Sequence, residues 1–227
     1  AYLGKARAEQ AGVAGIELLY GPAVMMAYGY GYISPDLQKY PELRAFLRNQ
    51  RPDLPRDLLP AVIEEADSEV AEYHRYLLYA AAACWKLFGV SWKSLEPMLA
   101  LMAGWCAVAV YGLMRLGMNR IFSVVLTLLV AASPGMLCTI TDPRDFSKAP
   151  FLLSILMGVG WILRAGMTPG TLALGASLLG LMTGAGMGFR QDVAVFVPLV
   201  LSVLCVAPCR TTGTSFFVRV FASLVFV

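Results

Sequence analysis

Residues 144–192 read RDFSKAPFLLSILMGVGWILRAGMTPGTLALGASLLGLMTGAGMGFRQD, and the solvent they require decides the fold. Between Lys148 and Arg190 the single charged side chain is Arg164. It separates two uncharged runs, Ala149–Leu163 of 15 residues and Ala165–Phe189 of 25. A helix crosses a bilayer core with about 20 apolar residues, in a range of roughly 17–25. The second run meets that length directly. The first meets it once Arg164 snorkels its guanidinium to the interface.

The same reading extends outward. Pro97–Met114 (18 residues), Ile121–Thr141 (21) and Val193–Cys209 (17) are also uncharged, and a further apolar run opens near Phe216. So many apolar runs would need a great deal of polar surface to stay dissolved in water. Composition agrees: 58% of the 227 residues are hydrophobic, only 15% are charged, and mean hydropathy is +0.66. A soluble domain runs nearer a quarter charged. A disordered chain, a collagen-like fibre and an ordinary cytosolic globule are excluded. The net charge of +3 is too small for a nucleic-acid binder. The expected fold class is an all-α, multi-pass transmembrane helical bundle. Its spans lie near 97–114, 121–141, 149–164, 168–189, 193–209 and 216–227, the last truncated. The chain reads as a piece of a longer reading frame, lacking its end and with its start left open.

Charge divides the chain. Residues 1–93 hold 10 basic and 11 acidic residues, whereas 94–227 hold 8 and 4. Three regions are expected. Residues 1–35 form an N-terminal segment in which Leu18–Pro35 is uncharged but interrupted by Gly21, Pro22, Gly29 and Gly31. That makes it either a distorted first span or the re-entrant end of one. Residues 36–93 form a polar loop outside the membrane, and 94–227 form the bundle. Orientation follows from the short connections. Arg115 with Arg120, then Arg164, then Arg210 mark one side. The Asp142–Lys148 and Arg190–Asp192 connections, each of zero net charge, mark the other. The positive-inside bias puts the arginine side in the cytoplasm.

Within the outer loop, Leu43, Phe46 and Leu47 share a helical face. Ile63, Val70, Tyr73, Leu77 and Leu78 recur at helical spacing through Ala61–Val90. This second helix begins acidic and ends aromatic, as expected of an interfacial helix with Trp85, Trp92 and Lys93 at headgroup level. In the bundle, Ala176, Gly180, Gly184 and Gly188 recur every four residues, a stripe expected to let helices approach closely. The GxGxG of Gly184–Gly188 follows no strand, so it is not a phosphate loop. The five cysteines form no CxxC pair, and His74 is the sole histidine. A disulfide framework or structural zinc site is therefore not expected, and His74 reads as an interfacial helix residue.

Charges beside a bilayer are costly unless solvated or paired. Thr141–Pro150 carries Asp142, Arg144, Asp145 and Lys148 between two spans. Arg190 and Asp192 add a second cation–carboxylate set at the same face, and Asp36 follows the aromatic run Tyr28–Tyr32. These groups are expected to converge on one outer cavity. The alternative is that Arg144–Asp145 and Arg190–Asp192 are local ion pairs at helix ends. A carboxylate there can serve as general base or bind a divalent cation, and both readings stand. Arg and Lys can stabilise the charge on a departing phosphate. No Ser/His/Asp triad or Walker motif competes with transfer from a lipid phosphate.

The segments YLLYAAAACWKLFGVSW (Tyr76–Trp92), RDFSKAPF (Arg144–Phe151) and GFRQDVAVFVP (Gly188–Pro198), in that order and at one face, resemble the GT-C class of membrane glycosyltransferases. The likeness is to bacterial relatives of protein O-mannosyltransferases and of the lipid A aminoarabinose transferase, and it covers most of 30–200. The resemblance implies an inverting transferase in a bacterial plasma membrane with its active face outside the cytoplasm. Its donor would be a polyprenyl-phosphate-linked sugar, with a carboxylate in each of the first two outer loops. Carried over, Asp145 is the second-loop acid, with Asp142 as fallback. Asp36 is the first-loop acid, with Asp67 as rival. Arg144, Lys148, Arg190 and Asp192 bind substrate, Arg190 at the phosphate. The sequence departs from the family in having no Asp-Glu pair after the first candidate span. An acceptor-binding domain would lie beyond Val227. The other function classes carried forward are a transporter or flippase subunit and a non-catalytic membrane scaffold.

Overall fold

A computed structural model describes residues 14–65, 72–164 and 168–206. The chain divides into two compact units. One is Ala1–Met102 with Leu137–Ser147; the other is Ala103–Met136 with Lys148–Val227. Among the described residues the only regular structure is helical, with two isolated bridges, Pro35 to Glu65 and Asp53 to Ser91.

In the first unit, α1 (Ala14–Tyr28) packs against α3 (Arg75–Phe88) and against α2 (Pro41–Leu47). Gly21 and Pro22 do not interrupt α1. What ends it is Gly29, at φ +87°. The Gly29 N–H donates to the Met26 carbonyl and the Tyr30 N–H to the Met25 carbonyl, the paired bonds of a Schellman cap. A Cβ at position 29 would oppose that left-handed backbone, so glycine fixes the stop. At 15 residues, α1 is shorter than a span, and residues 1–13 lie outside the description.

The core of this unit is aromatic. Trp85 is 1% exposed, and its ring lies 5.8 Å from Phe46, 5.7 Å from Trp92 and 6.1 Å from Tyr20. Both indoles are satisfied: Trp85 Nε1 donates to the Ser91 carbonyl at 2.8 Å and Trp92 Nε1 to the Phe46 carbonyl at 2.9 Å. A buried tryptophan needs such a partner for its N–H. Trp85 thus faces the core of the unit and not outward, because its spacing with Leu77, Leu78 and Ala81 turns it onto the buried face. The expected helix over Ala61–Val90 is corrected at its start. Residues 61–65 are not helical, the Glu64 carbonyl accepts from the Asp36 N–H, and the helix proper begins at Arg75, after His74. His74 is buried at that helix start. Val70 and Asp67 lie outside the described residues.

Helix α4 (Glu96–Gly117) contributes to both units. The second unit adds α5 (Arg120–Ala131), α8 (Ala149–Arg164), α9 (Pro169–Phe189) and α10 (Phe196–Val206). The short helices α6 (Pro134–Ile140) and α7 (Pro143–Phe146) lie between α5 and α8 in the chain. Its core joins Ile155, Val159 and Ile162 of α8 to Leu172, Ala176 and Leu179 of α9 and to Val200, Val203 and Leu204 of α10.

Among the described residues three helices are long and apolar enough to cross a membrane: Trp92–Gly117, Pro143–Arg164 and Pro169–Phe189. A fourth results if Arg120–Ala131 and Pro134–Ile140, bent by 56°, count as one span. The expected continuous helix over 121–141 is thus two helices with a bend, the form of a broken span or of a re-entrant loop. The expected span over 149–164 gains its length at its N-terminal side, from Pro143–Phe146. Gln191–Cys205 is apolar but shorter, and the expected span at 216–227 lies outside the described residues, as does Arg210.

The small-residue stripe is placed differently from expectation. The buried positions of α9 are Leu172, Gly175, Ala176, Leu179, Thr183 and Gly186. Gly184 has open space where a Cβ would sit, whereas a Cβ at Gly186 would lie 3.0 Å from Phe151 Cβ. A strict four-residue repeat turns about 40° further round a 3.6-residue helix at each step, so it leaves the packed face.

Candidate functional site

Asp192, Lys148 and Arg190 meet at one end of the second unit. Lys148 stands immediately before α8, Arg190 caps the end of α9, and Asp192 opens the short 3-10 turn Gln191–Val195. Consecutive antiparallel helices bring the start of one to the end of the next. Lys148 Nζ lies 3.1 Å from Asp192 Oδ2, and Arg190 Nε lies 2.8 Å from the same oxygen. Arg190 is the more enclosed of the three, with its side chain 18% exposed. The hydrogen bond from Lys148 and the nearby Arg190 charge hold the Asp192 carboxyl below the usual carboxylate range, against a smaller opposing effect of desolvation. Lys148 and Arg190 thus converge on a single carboxylate oxygen. Arg190–Asp192 is the local pair at a helix end that the alternative reading expected, whereas Lys148–Asp192 joins residues 44 apart.

Asp142, Arg144 and Asp145 belong to the first unit. Asp142 is the N-cap of α7: its Oδ1 accepts from the Arg144 N–H at 3.1 Å and the Asp145 N–H at 3.4 Å. This is a structural use of the carboxylate. Asp145 is exposed at the surface. Arg144 is half-buried, and its Nε is enclosed with no hydrogen-bond partner. An enclosed guanidinium donor left unpaired costs free energy that an anionic ligand would offset.

Asp36, in the same unit, shapes a turn. Its Oδ1 accepts from the Gln38 N–H at 3.0 Å, and its carbonyl accepts from the Lys39 N–H at 3.0 Å. Lys39 pairs with Glu64. Asp36 thus carries a backbone-ordering duty of the kind Asp performs in many turns.

No protein-family model, curated protein or solved structure matches this chain.

Two features escaped the sequence reading. Arg75 lies over the Tyr32 ring at 5.4 Å and the Tyr79 ring at 5.9 Å, and its Nε donates to Tyr79 Oη. The i to i+4 spacing of Arg75 and Tyr79 could have signalled that half of the cluster. Tyr32, 43 residues away, could not be found from spacing. The second feature is a cavity of about 580 Å³ in the second unit, walled by Trp105, Ser154 and Trp161 among others. Among the described residues no group of three His, Cys, Asp or Glu side chains could hold a metal ion.

Proposed function

We propose that this chain is a multi-pass membrane glycosyltransferase. It moves a sugar from a polyprenyl-phosphate-linked donor to an acceptor outside the cytoplasm, in a bacterial plasma membrane. The membrane part is supported by helices whose outward faces are apolar. On α5, Ile121, Phe122, Leu128 and Leu129 are each more than 60% exposed, while the buried residues are Ser123 and Thr127. Ser123 Oγ donates to the Asn119 carbonyl and Thr127 Oγ1 to the Ser123 carbonyl. Polar inside and apolar outside inverts the arrangement favoured in water and suits lipid. On α3, Tyr76, Tyr79, Leu87 and Phe88 remain exposed, an aromatic face suited to the interface.

The observation that carries the transfer reading is the convergence of Lys148 and Arg190 on Asp192. In this assignment Arg190 and Lys148 receive the donor phosphate, and Asp192 holds both cations in place until it arrives. Arg144, whose enclosed Nε has no hydrogen-bond partner, is assigned to substrate binding as the resemblance implies. Asp145 is the general base toward the acceptor hydroxyl or a ligand to a divalent cation, and Asp36 is the first-loop acid.

The test uses the full chain in proteoliposomes with a radiolabelled polyprenyl-phosphate sugar. Arg190→Ala is expected to lower transfer about 10²-fold or more, as loss of a charge-stabilising donor does. Asp145→Asn is expected to lower it by about 10²–10⁴. Unchanged transfer in both variants, with normal insertion, rejects the assignment. The 56° bend between Arg120–Ala131 and Pro134–Ile140 favours a second reading, a transporter, because broken helices line substrate paths. Solute uptake without group transfer would select it.

A further inference from the structure

The second unit contains a cavity that the transfer reading leaves unused. It lies between α4, α8 and α9, and its walls include Trp105, Gly112, Arg115, Ser154, Trp161 and Leu178. Its volume, about 580 Å³, is that of a ligand site rather than a packing defect. The walls are apolar except in two places. Trp105 Nε1 donates to Ser154 Oγ at 2.9 Å, which satisfies both groups. Arg115 stands at the other end.

Depth identifies the occupant. Trp105 and Arg115 are ten residues apart on α4, about 15 Å along the axis at 1.5 Å per residue. That is half of a hydrocarbon core about 30 Å thick, the depth of a single leaflet. If α4 crosses the bilayer along its length, the cavity reaches from the Arg115 level to about mid-depth. A single acyl chain matches this length.

Charge identifies the headgroup. Arg115 lies in the last turn of α4 and Arg164 in the last turn of α8. Arg115 Nη1 donates to the Met118 carbonyl at 2.5 Å, and Arg164 Nη1 donates to the Arg115 backbone carbonyl at 3.4 Å, so the Arg164 cation stands at the turn of α4 that carries Arg115. Each guanidinium has five donors, and these bonds use one apiece. The unit's sequence holds a single carboxylate, Asp192, and it is bound to Lys148 and Arg190 at the opposite end of α8. Within the second unit's own sequence the rim is cationic with no acid at that end. Basic pockets between membrane helices at such a rim take anionic lipid headgroups.

We propose that this cavity seats one acyl chain of an anionic phospholipid whose phosphate lies between Arg115 and Arg164. The site stands independently of the transfer reading, because it uses none of the residues assigned to the donor. Its lipid comes from the leaflet at the arginine end, whereas the donor phosphate is assigned to the Lys148–Arg190 end.

The experiment purifies the full chain in mild detergent and titrates phosphatidylglycerol or phosphatidylcholine of identical chains, read by native mass spectrometry. Phosphatidylglycerol is expected to bind about tenfold tighter or more, given that hydrogen bonds to charged groups contribute at least that factor. Arg115→Gln with Arg164→Gln is expected to bring it to the phosphatidylcholine level. Leu178→Trp, at a half-exposed wall position, is expected to fill the cavity and weaken both lipids. Far-UV circular dichroism checks that each variant is folded; should the double variant not fold, Leu178→Trp alone decides. Equal affinity for the two lipids, or unchanged binding in the folded variants, overturns the proposal. Displacement of the lipid by inorganic phosphate alone also overturns it, since the site would then recognise a free anion.

Discussion

Asp142, Asp145 and Asp192 are the same side chain in three different surroundings, and substitution separates their roles. Asp142 caps α7 through two backbone N–H groups. Asparagine caps as well as aspartate does, whereas alanine does not. Asp142→Ala is thus expected to cost about 1 kcal/mol of stability. Asp142→Asn should retain both stability and transfer, in contrast to Asp145→Asn. Thermal unfolding in detergent beside the transfer assay reads the difference, and lost transfer in Asp142→Asn would restore that residue as the acid. Asp192 makes a pH prediction. Its folded carboxyl titrates below its ordinary value because the ionised form is held by Lys148 and Arg190. Its contribution is therefore present above the unfolded value near 3.9 and is lost as pH falls through the lower folded one. Carboxyl-carbon NMR should show Asp192 titrating at a higher pH in Lys148→Gln than in the parent. An unchanged midpoint would mean that the contact at 3.1 Å is not maintained in solution.

At the scale of elements, apolar run length located helices well and packing faces poorly. The run over 97–114 lies in helix Glu96–Gly117, and residues 169–189 of the next long run form helix Pro169–Phe189, because a long uncharged run in a lipid-like surrounding leaves the backbone no partner but itself. The face of α9 was misplaced because a count of small residues carries no angle, whereas 3.6 residues per turn does. Two glycines two positions apart test this. Gly186→Ala puts a Cβ 3.0 Å from both Phe151 Cβ and Val193 Cγ1, atoms on two other elements, and is expected to cost about 1–3 kcal/mol. Gly184→Ala meets open space and should be neutral or stabilising by up to about 1 kcal/mol, the difference in helix propensity. Equal effects in unfolding measurements would return the contact to the four-residue stripe. The aromatic core was hidden for a related reason. Trp85 and Trp92 are interfacial residues by type, and only their registry with Phe46 and Tyr20, 39 or more residues away, encloses them. The candidate site was legible in part. Lys148, Arg190 and Asp192 were found from charge in apolar surroundings, but the turn duty of Asp36 depends on Gln38 and Lys39 backbone groups that composition does not reveal.

For the molecule as a whole, the two ends of the second unit make opposite commitments about the membrane. One end carries Arg115 and Arg164 with no carboxylate from this unit's own sequence, and the other carries Lys148 and Arg190 on Asp192. Unbalanced arginine in short connections is retained in the cytoplasm, while a compensated set crosses more easily. Orientation is therefore expected to place Met118 inside and Gln191 outside. Both positions are exposed at the surface, so a cysteine at either can be read with a membrane-impermeant maleimide after the five native cysteines are replaced. Gln191→Cys should label in intact cells and Met118→Cys only after permeabilisation. The reverse pattern would put the Lys148–Arg190 cluster in the cytoplasm, where an acceptor outside the cell membrane could not reach it, and the transfer proposal would fail on geometry alone. Labelling of both positions from outside would mean that α8 does not cross the bilayer, since Lys148 and Arg164 bracket that helix. The acyl-chain cavity would fail with it, because a pocket one leaflet deep has meaning only if its arginine rim and its Trp105–Ser154 floor lie at different depths in lipid.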